Sequence, residues 1–379
     1  MTERSRPSGV ASLTEFYRGK RVLITGNTGF KGSWLAAWLV ALGAEVVGLS
    51  QSDAAPNGLH RLCALDEQID TMWADVRDAR LVCESFGAYL PEIVFHLAGQ
   101  AIVRQSYVDP IETFGTNVMG TANVLDGAAK AGSVRAVVCV TSDKCYGDTV
   151  GIRTEEDPLM PNDPYSCSKA AAELVIRSYS AEATWSLRPP NARSNMAVAA
   201  ARSGNAIGGG DWGVNRLVPD VIRALRQGHP VRLRMPDAKR PWQHVLEPLA
   251  GYLILGAALA EGRTTGTLAY NFGPVLSAHE SAESLVKILL DAAGATEHPV
   301  ATDAEKFRET HELLIDSTLA CRDLGWRPVW DLASAVHRTI EWYALSDKAD
   351  TSELRALTAR QIEEFTSDFV RLESGHDPQ

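Results

Sequence analysis

Seven residues restrict the fold of this chain more than any others: Gly26-Asn27-Thr28-Gly29-Phe30-Lys31-Gly32. Before them Arg21–Thr25 reads as a strand, and after them residues 33–42 read as a helix. Glycines at this spacing keep a turn tight and let backbone approach a pyrophosphate, and the third lets helix and strand pack closely. The helix N-terminus that follows favours negative charge. A glycine triplet alone says little. Framed by a strand and a helix, it predicts a dinucleotide cradle, here spaced GxxGxxG rather than GxGxxG.

The same alternation continues downstream. Residues 45–49, 93–97 and 135–141 read as strands, and residues 117–131 and 165–179 as helices. Strands alternating with helices imply a parallel sheet covered on both faces, with ligands at its carboxyl edge. The expected class is therefore α/β, a Rossmann-type doubly wound sheet. A length of 379 residues exceeds the roughly 250–300 at which one core stops growing, so a smaller C-terminal lobe for substrate is expected beside it. The division read from the pattern gives residues 1–200 to the dinucleotide domain, with 243–273 returning to it. Residues 201–242 and 274–350 form the second lobe, and 351–379 a C-terminal helix and tail. Residues 185–195 read as a loop, 219–227 and 244–259 as helices. Leu354, Leu357, Ile362, Phe365, Phe369 and Leu372 recur at helical spacing, which suits a helix docked on the body or an oligomer contact.

The chemistry concentrates between Thr141 and Lys169. Ser142-Asp143-Lys144 follows an apolar run, and Tyr165 precedes Lys169 by four residues, so the two share a helix face. A free phenol titrates near 10. A neighbouring ammonium and a cationic nicotinamide ring would favour phenolate, so Tyr165 is expected to act as a base near neutrality. A hydroxyl, a carboxylate, an ammonium and a phenol exceed what plain alcohol oxidation needs. They point to hydride movement combined with loss of water. Asp143 and Lys144 could instead form an exposed ion pair, and Ser142 could serve only its turn.

Charge and composition exclude other classes. The net charge of −10 comes with no lysine/arginine run, which argues against a nucleic-acid partner. No apolar stretch approaches the about 20 residues that span a bilayer, and the first residues lack a signal core. Six cysteines without a CxxC pair fit reduced thiols in the cytoplasm. No metal is expected. Around Ser50-Gln51-Ser52-Asp53 no arginine stands to take a 2′-phosphate, which favours NAD, with Asp53 as the ribose acid. Asp75 and Val76 follow a β-like run and are candidates for the adenine end, although Asp75 could equally be a loop acid. Lys31 either approaches a phosphate or stays a solvated charge.

Longer segments carry a family likeness. Thr28-Gly29-Phe30-Lys31-Gly32-Ser33-Trp34-Leu35, Thr116-Asn117-Val118-Met119-Gly120-Thr121 and Thr141-Ser142-Asp143-Lys144-Cys145-Tyr146 belong to it. So do Gly204-Asn205-Ala206-Ile207-Gly208-Gly209-Gly210-Asp211-Trp212 and Arg240-Pro241-Trp242-Gln243-His244-Val245-Leu246-Glu247. On these residues the chain resembles the extended short-chain dehydrogenase/reductases of the nucleotide-sugar branch, and within it the CDP-glucose 4,6-dehydratases. The resemblance implies an NAD-dependent internal redox dehydration of a CDP-hexose by a homodimer. It gives Tyr165 the proton of the sugar 4-hydroxyl and Ser142 a hydrogen bond to the 4-oxygen. It gives Asp143 the protonation of the departing 6-hydroxyl and Lys144 the C5 base. Gly26, Thr28, Gly29, Phe30, Lys31, Gly32, Leu97, Ala98, Tyr165 and Lys169 would hold the cofactor. Arg104, Asn205, Arg216, Arg240, Trp242 and His244 would meet the substrate. Two features depart from the pattern: Asn27 stands where the family has histidine, and Ser203 and Ala206 where it has alanine and valine. The alternatives left open are a dehydratase or 4-epimerase acting on another nucleotide sugar, and a non-catalytic NAD-binding protein.

Overall fold

A computed structural model of the chain describes residues 10–51, 55–148, 151–180, 195–264, 266–276, 279–302 and 312–374. Its centre is a seven-stranded sheet. In chain order the strands are β1 (Arg21–Thr25), β2 (Glu45–Ser50), β3 (Asp70–Trp73), β4 (Ile93–His96), β5 (Ala136–Val140), β6 (Ala197–Ser203) and β7 (Ala269–Phe272). They lie in the order β7-β6-β5-β4-β1-β2-β3 and every pairing is parallel. The order reverses between β1 and β4, which opens a crevice at their carboxyl ends.

Side chains along each strand alternate between two cores. Val22, Ile24, Phe95, Val138 and Ala199 join one apolar cluster, whereas Leu23, Val94, Val137, Cys139 and Val198 join the other. Both faces are thus dry, as parallel sheets require. Each large aliphatic or aromatic side chain so buried contributes about 1.5–3 kcal/mol. Helices Phe30–Ala41 and Leu246–Ala260 cover the first face, and Ala79–Tyr89 and Gly120–Ala131 the second.

Beyond β6, smaller paired strands flank the sheet's carboxyl edge. Short strands Val231–Leu233 and Val300–Thr302 pair in parallel, and Lys239–Arg240 pairs antiparallel with Glu280–Ser281. Helix Thr351–Glu373 returns to the first face, where Phe365 meets Trp38 edge-on at 5.6 Å and Trp330 at 5.0 Å. Leu354, Leu357, Ile362, Phe365 and Phe369 are buried there, so docking accounts for this apolar face. Most of the 185–195 loop lies outside the described residues.

Candidate active site

A cleft of about 710 Å³ opens along the carboxyl edge of the sheet, within the size range of small-molecule sites. Its floor is the glycine turn. Gly26 has φ +74°, and a Cβ there would stand 2.8 Å from the Ala98 nitrogen; a Cβ on Gly32 would stand 2.0 Å from the Gly26 oxygen. The approach therefore depends on missing side chains. Helix Phe30–Ala41 starts here with no acidic residue in its first turn. A bare helix N-terminus over a glycine turn fits an anionic dinucleotide.

Gly26, Gly29, Phe30, Lys31, Gly32 and Leu97 line the cleft, together with Tyr165 and Lys169. Thr28, Ala98, Asp75 and Val76 do not. Ala98 gives its N–H to Thr25 Oγ1 at 3.1 Å, Val76 packs in the second core, and the Asp75 carboxylate is engaged by Arg77 Nε at 2.8 Å. Asp53 lies outside the described residues. At the tip of β2, Ser50 Oγ donates to Asn27 Oδ1 at 2.7 Å, and Asn27 Nδ2 donates to Thr71 Oγ1 at 2.8 Å. Asn27 thereby ties the turn to β2 and β3.

Two neighbouring elements carry the reactive groups. After β5 a short 3₁₀ turn, Asp143–Tyr146, is capped by Ser142, whose Oγ accepts from the Lys144 N–H at 3.2 Å. Ser142 Oγ also donates to Asp143 Oδ1 at 3.0 Å. Asp143 is only 2% exposed, and its Oδ2 has no hydrogen-bond partner among the described residues. The exposed Asp143–Lys144 ion pair considered from sequence is absent among the described residues. Both residues line the cleft instead.

Helix Pro164–Ser180 supplies Tyr165 and Lys169. It begins at Pro164, a residue suited to the first helical position, and Asp163 caps it by accepting the Ser166 N–H at 2.9 Å. Lys169 Nζ donates to the Val140 carbonyl at 3.2 Å, and burial pulls its ammonium down to about 8. In the chain without a cofactor, Tyr165 is held towards its neutral form. Burial pushes its phenol up to about 12, and a hydrogen bond with Ser142 offsets only part of that. The chain itself thus holds the phenol protonated.

Across the cleft, Arg104, Asn205, Arg216, Arg240 and Trp242 all line the wall. Arg216 is held by Asp211, with Nη1 at 3.0 and 2.9 Å from the two carboxylate oxygens. Trp242 Nε1 donates to the Glu280 carbonyl at 3.2 Å. His244 stands apart from the wall expected from sequence. It is fully buried, edge-on to Trp34 at 5.7 Å and Trp330 at 5.0 Å, and does not line the cleft. Burial depresses its imidazolium to about 3, so the ring is a neutral packing element.

Sequence reasoning missed Arg232 and Arg234, which add two cations to the wall. The alternation Val231-Arg232-Leu233-Arg234, with both aliphatic residues buried, was the available signal. Among the described residues, three lysines and five arginines face five aspartates here, a cationic lining in an acidic chain. Lys31, left open from sequence, points into this cluster. Its Nζ donates to Ser203 Oγ at 2.6 Å, and burial, followed by Arg216, lowers it to about 7.

Comparison with known proteins agrees with this geometry. The family model described as GDP-mannose 4,6 dehydratase matches residues 23–339. The chain is 36% identical to a CDP-glucose 4,6-dehydratase of Salmonella typhimurium, over 94% of this chain and 99% of that one. It is 28% identical to a UDP-glucose 4-epimerase of Mycolicibacterium smegmatis, over 85% of this chain and 98% of the other. A dTDP-glucose 4,6-dehydratase of Streptomyces venezuelae, solved with NAD bound, superposes with a TM-score of 0.73 at 28% identity, over 86% of this chain and 97% of that one.

Proposed function

The chain belongs to the GDP-mannose 4,6 dehydratase family of nucleotide-sugar enzymes, and we propose that it converts CDP-D-glucose to CDP-4-keto-6-deoxy-D-glucose with NAD as a retained cofactor. The observation that carries the reading is the meeting of two reactive sets on one cleft. Tyr165 and Lys169 come from a helix, and Ser142, Asp143 and Lys144 from the adjoining turn, all above the glycine floor.

The glycine turn and the start of helix Phe30–Ala41 would hold NAD, which would supply a reversible two-electron acceptor next to the sugar. The remaining work is proton transfer by the chain. Tyr165 takes the proton of the 4-hydroxyl, and Ser142 hydrogen-bonds the oxygen that becomes the ketone. A 4-ketone acidifies the C5 hydrogen, because the electron pair left behind is delocalised as an enolate. Lys144 removes that proton. Asp143 gives a proton to the 6-hydroxyl, which leaves as water as the C5–C6 double bond forms. Reduction at C6 and return of a proton to C5 complete the product, with no net oxidation. General acid and base steps of this kind are worth about 10²–10⁴-fold each. The arginine-rich wall, Arg216 and Arg240 included, suits a diphosphate, which guanidinium grips bidentately.

The cytidine assignment rests on the likeness to the Salmonella enzyme across nearly its whole length. A 4-epimerase needs only Tyr165, Lys169 and a hydroxyl, and has no use for Asp143 and Lys144. Incubation with CDP-, dTDP-, GDP- and UDP-hexoses tests both points. The expected result is loss of one water from CDP-glucose and turnover of the others at least about tenfold slower, a 1.4 kcal/mol preference. Epimerised sugar without water loss would replace this reading with the epimerase.

Two further assignments belong with it. The cytoplasm is the proposed location, in keeping with six free cysteines. A homodimer is proposed through the face bearing Val108, Ile111, Phe114, Met119 and Leu174, which are apolar yet exposed. Sedimentation at twice the monomer mass supports it, and a single monomer boundary at micromolar concentration contradicts it.

A further inference from the structure

A polar network lies directly beneath the two reactive sets, and none of the chemistry above uses it. Glu173 follows Lys169 by one helical turn. Its Oε1 accepts from Thr141 Oγ1 at 2.8 Å and from Arg202 Nε at 2.8 Å, while its Oε2 accepts from Arg202 Nη2. The third Arg202 nitrogen donates to Tyr146 Oη at 2.6 Å, and the guanidinium lies over the Tyr146 ring at 4.8 Å. Tyr146 Oη then donates to Asn271 Oδ1 at 2.8 Å, on β7. Asn271 Nδ2 in turn donates to the carbonyls of Arg153 and Asp316 at 3.2 and 3.0 Å. Every side chain from Thr141 to Asn271 in this network is buried.

A buried ion pair is a poor source of stability, because desolvation offsets its attraction and apolar residues of similar volume often serve as well. What it offers here is directional connection. Glu173 stands on the helix that carries Tyr165 and Lys169. Thr141 ends β5 just before Ser142, and Tyr146 closes the turn that carries Asp143 and Lys144. Arg202 joins a side chain of the helix, Glu173, to a side chain of the turn, Tyr146.

We infer that the Glu173–Arg202–Tyr146 network is a positioning device, which sets the Asp143–Lys144 turn against the Tyr165 helix so that water leaves as fast as the 4-ketone forms. Tyr146 and Arg202 act through Asp143 and Lys144 and touch no substrate. The inference rests on the dehydratase reading.

Tyr146→Phe tests it, because only the bridging hydroxyl is removed and the buried ring is kept. The wild-type protein is first shown to remove water from CDP-glucose; failure at that stage would count against the dehydratase reading, separately from the network. In Tyr146→Phe, formation of reduced nicotinamide on mixing is expected to stay within about threefold of wild type. Water loss is expected to slow by about tenfold or more, so the reduced cofactor accumulates. Combined with Asp143→Asn, the variant is expected to add nothing further to the slowed water loss, since both act at one step. A readout free of turnover accompanies this. The carbon-labelled dimethyl-lysine NMR signal of Lys144 is expected to shift in Tyr146→Phe while that of Lys169 holds. Equal slowing of both steps, additive effects in the double variant, or an unmoved Lys144 signal would each overturn the inference.

Discussion

Tyr165 and Lys169 show how much a residue pair reveals on paper and how much it withholds. Their spacing puts both on one helix face, and both line the cleft. Their electrostatics depend on burial, which spacing does not encode. The phenol rises to about 12 and the ammonium falls to about 8, each through loss of solvent. A phenolate at Tyr165 would need further positive charge, such as a bound cationic nicotinamide, beyond what Arg216 supplies. Tyr165→Phe should fold normally and lose the first oxidation by about 10²–10⁴-fold, read as reduced nicotinamide formed on mixing with substrate. Near-normal turnover would exclude the phenol as base. His244 carried no comparable signal: a histidine inside a motif looks alike whether it faces a ligand or two tryptophans.

At the scale of elements, legibility followed local pattern. Strands β1, β2, β4 and β5 announce themselves as short apolar runs bounded by turns. The 3₁₀ turn at Asp143 and the cap at Asp163 follow from residues adjacent in sequence. Elements made by distant contacts were not readable. The segment Gly115–Met119 leaves α-helical geometry for a π turn. There Asn117 accepts the Gln100 N–H at 2.9 Å and donates to Ser168 Oγ at 2.8 Å. Strand β7, Ala-Tyr-Asn-Phe, owes its place to pairing with β6 and to Asn271 bonds that cross the fold. The glycine turn is the most local element of all. Gly32→Ala forces a Cβ against the Gly26 carbonyl, so the turn must open. Calorimetric titration should show NAD affinity lowered by about tenfold or more, 1.4 kcal/mol; unchanged affinity would mean that the turn is not the cofactor's floor.

Over the whole molecule, helix Leu246–Ala260 is buried along nearly its full length against the sheet. Glu247, fully buried in its first turn, accepts the N–H of Val329 at 3.1 Å and of Trp330 at 2.7 Å, just ahead of helix Leu332–Ser346. Burial lifts its carboxyl from 4.5 to about 8 despite those bonds. The folded protein therefore binds this proton more tightly than the unfolded chain does. The associated stability is complete below the unfolded value and declines as pH rises towards about 8. Glu247→Gln keeps an acceptor for both N–H groups and removes the titration. Its melting temperature should fall less than that of wild type between about pH 5 and 8. Parallel curves would show that Glu247 does not set this dependence.

The proposed labour is divided within one cleft, with oxidation by Tyr165 and loss of water by Asp143 and Lys144. Rapid mixing of Asp143→Asn with CDP-glucose tests it most directly, following nicotinamide reduction and water loss in the same sample. Reduction at close to the wild-type rate, with water loss slowed by about 10²–10⁴-fold, is the predicted result. Equal loss of both steps, or water loss at the wild-type rate, would contradict it.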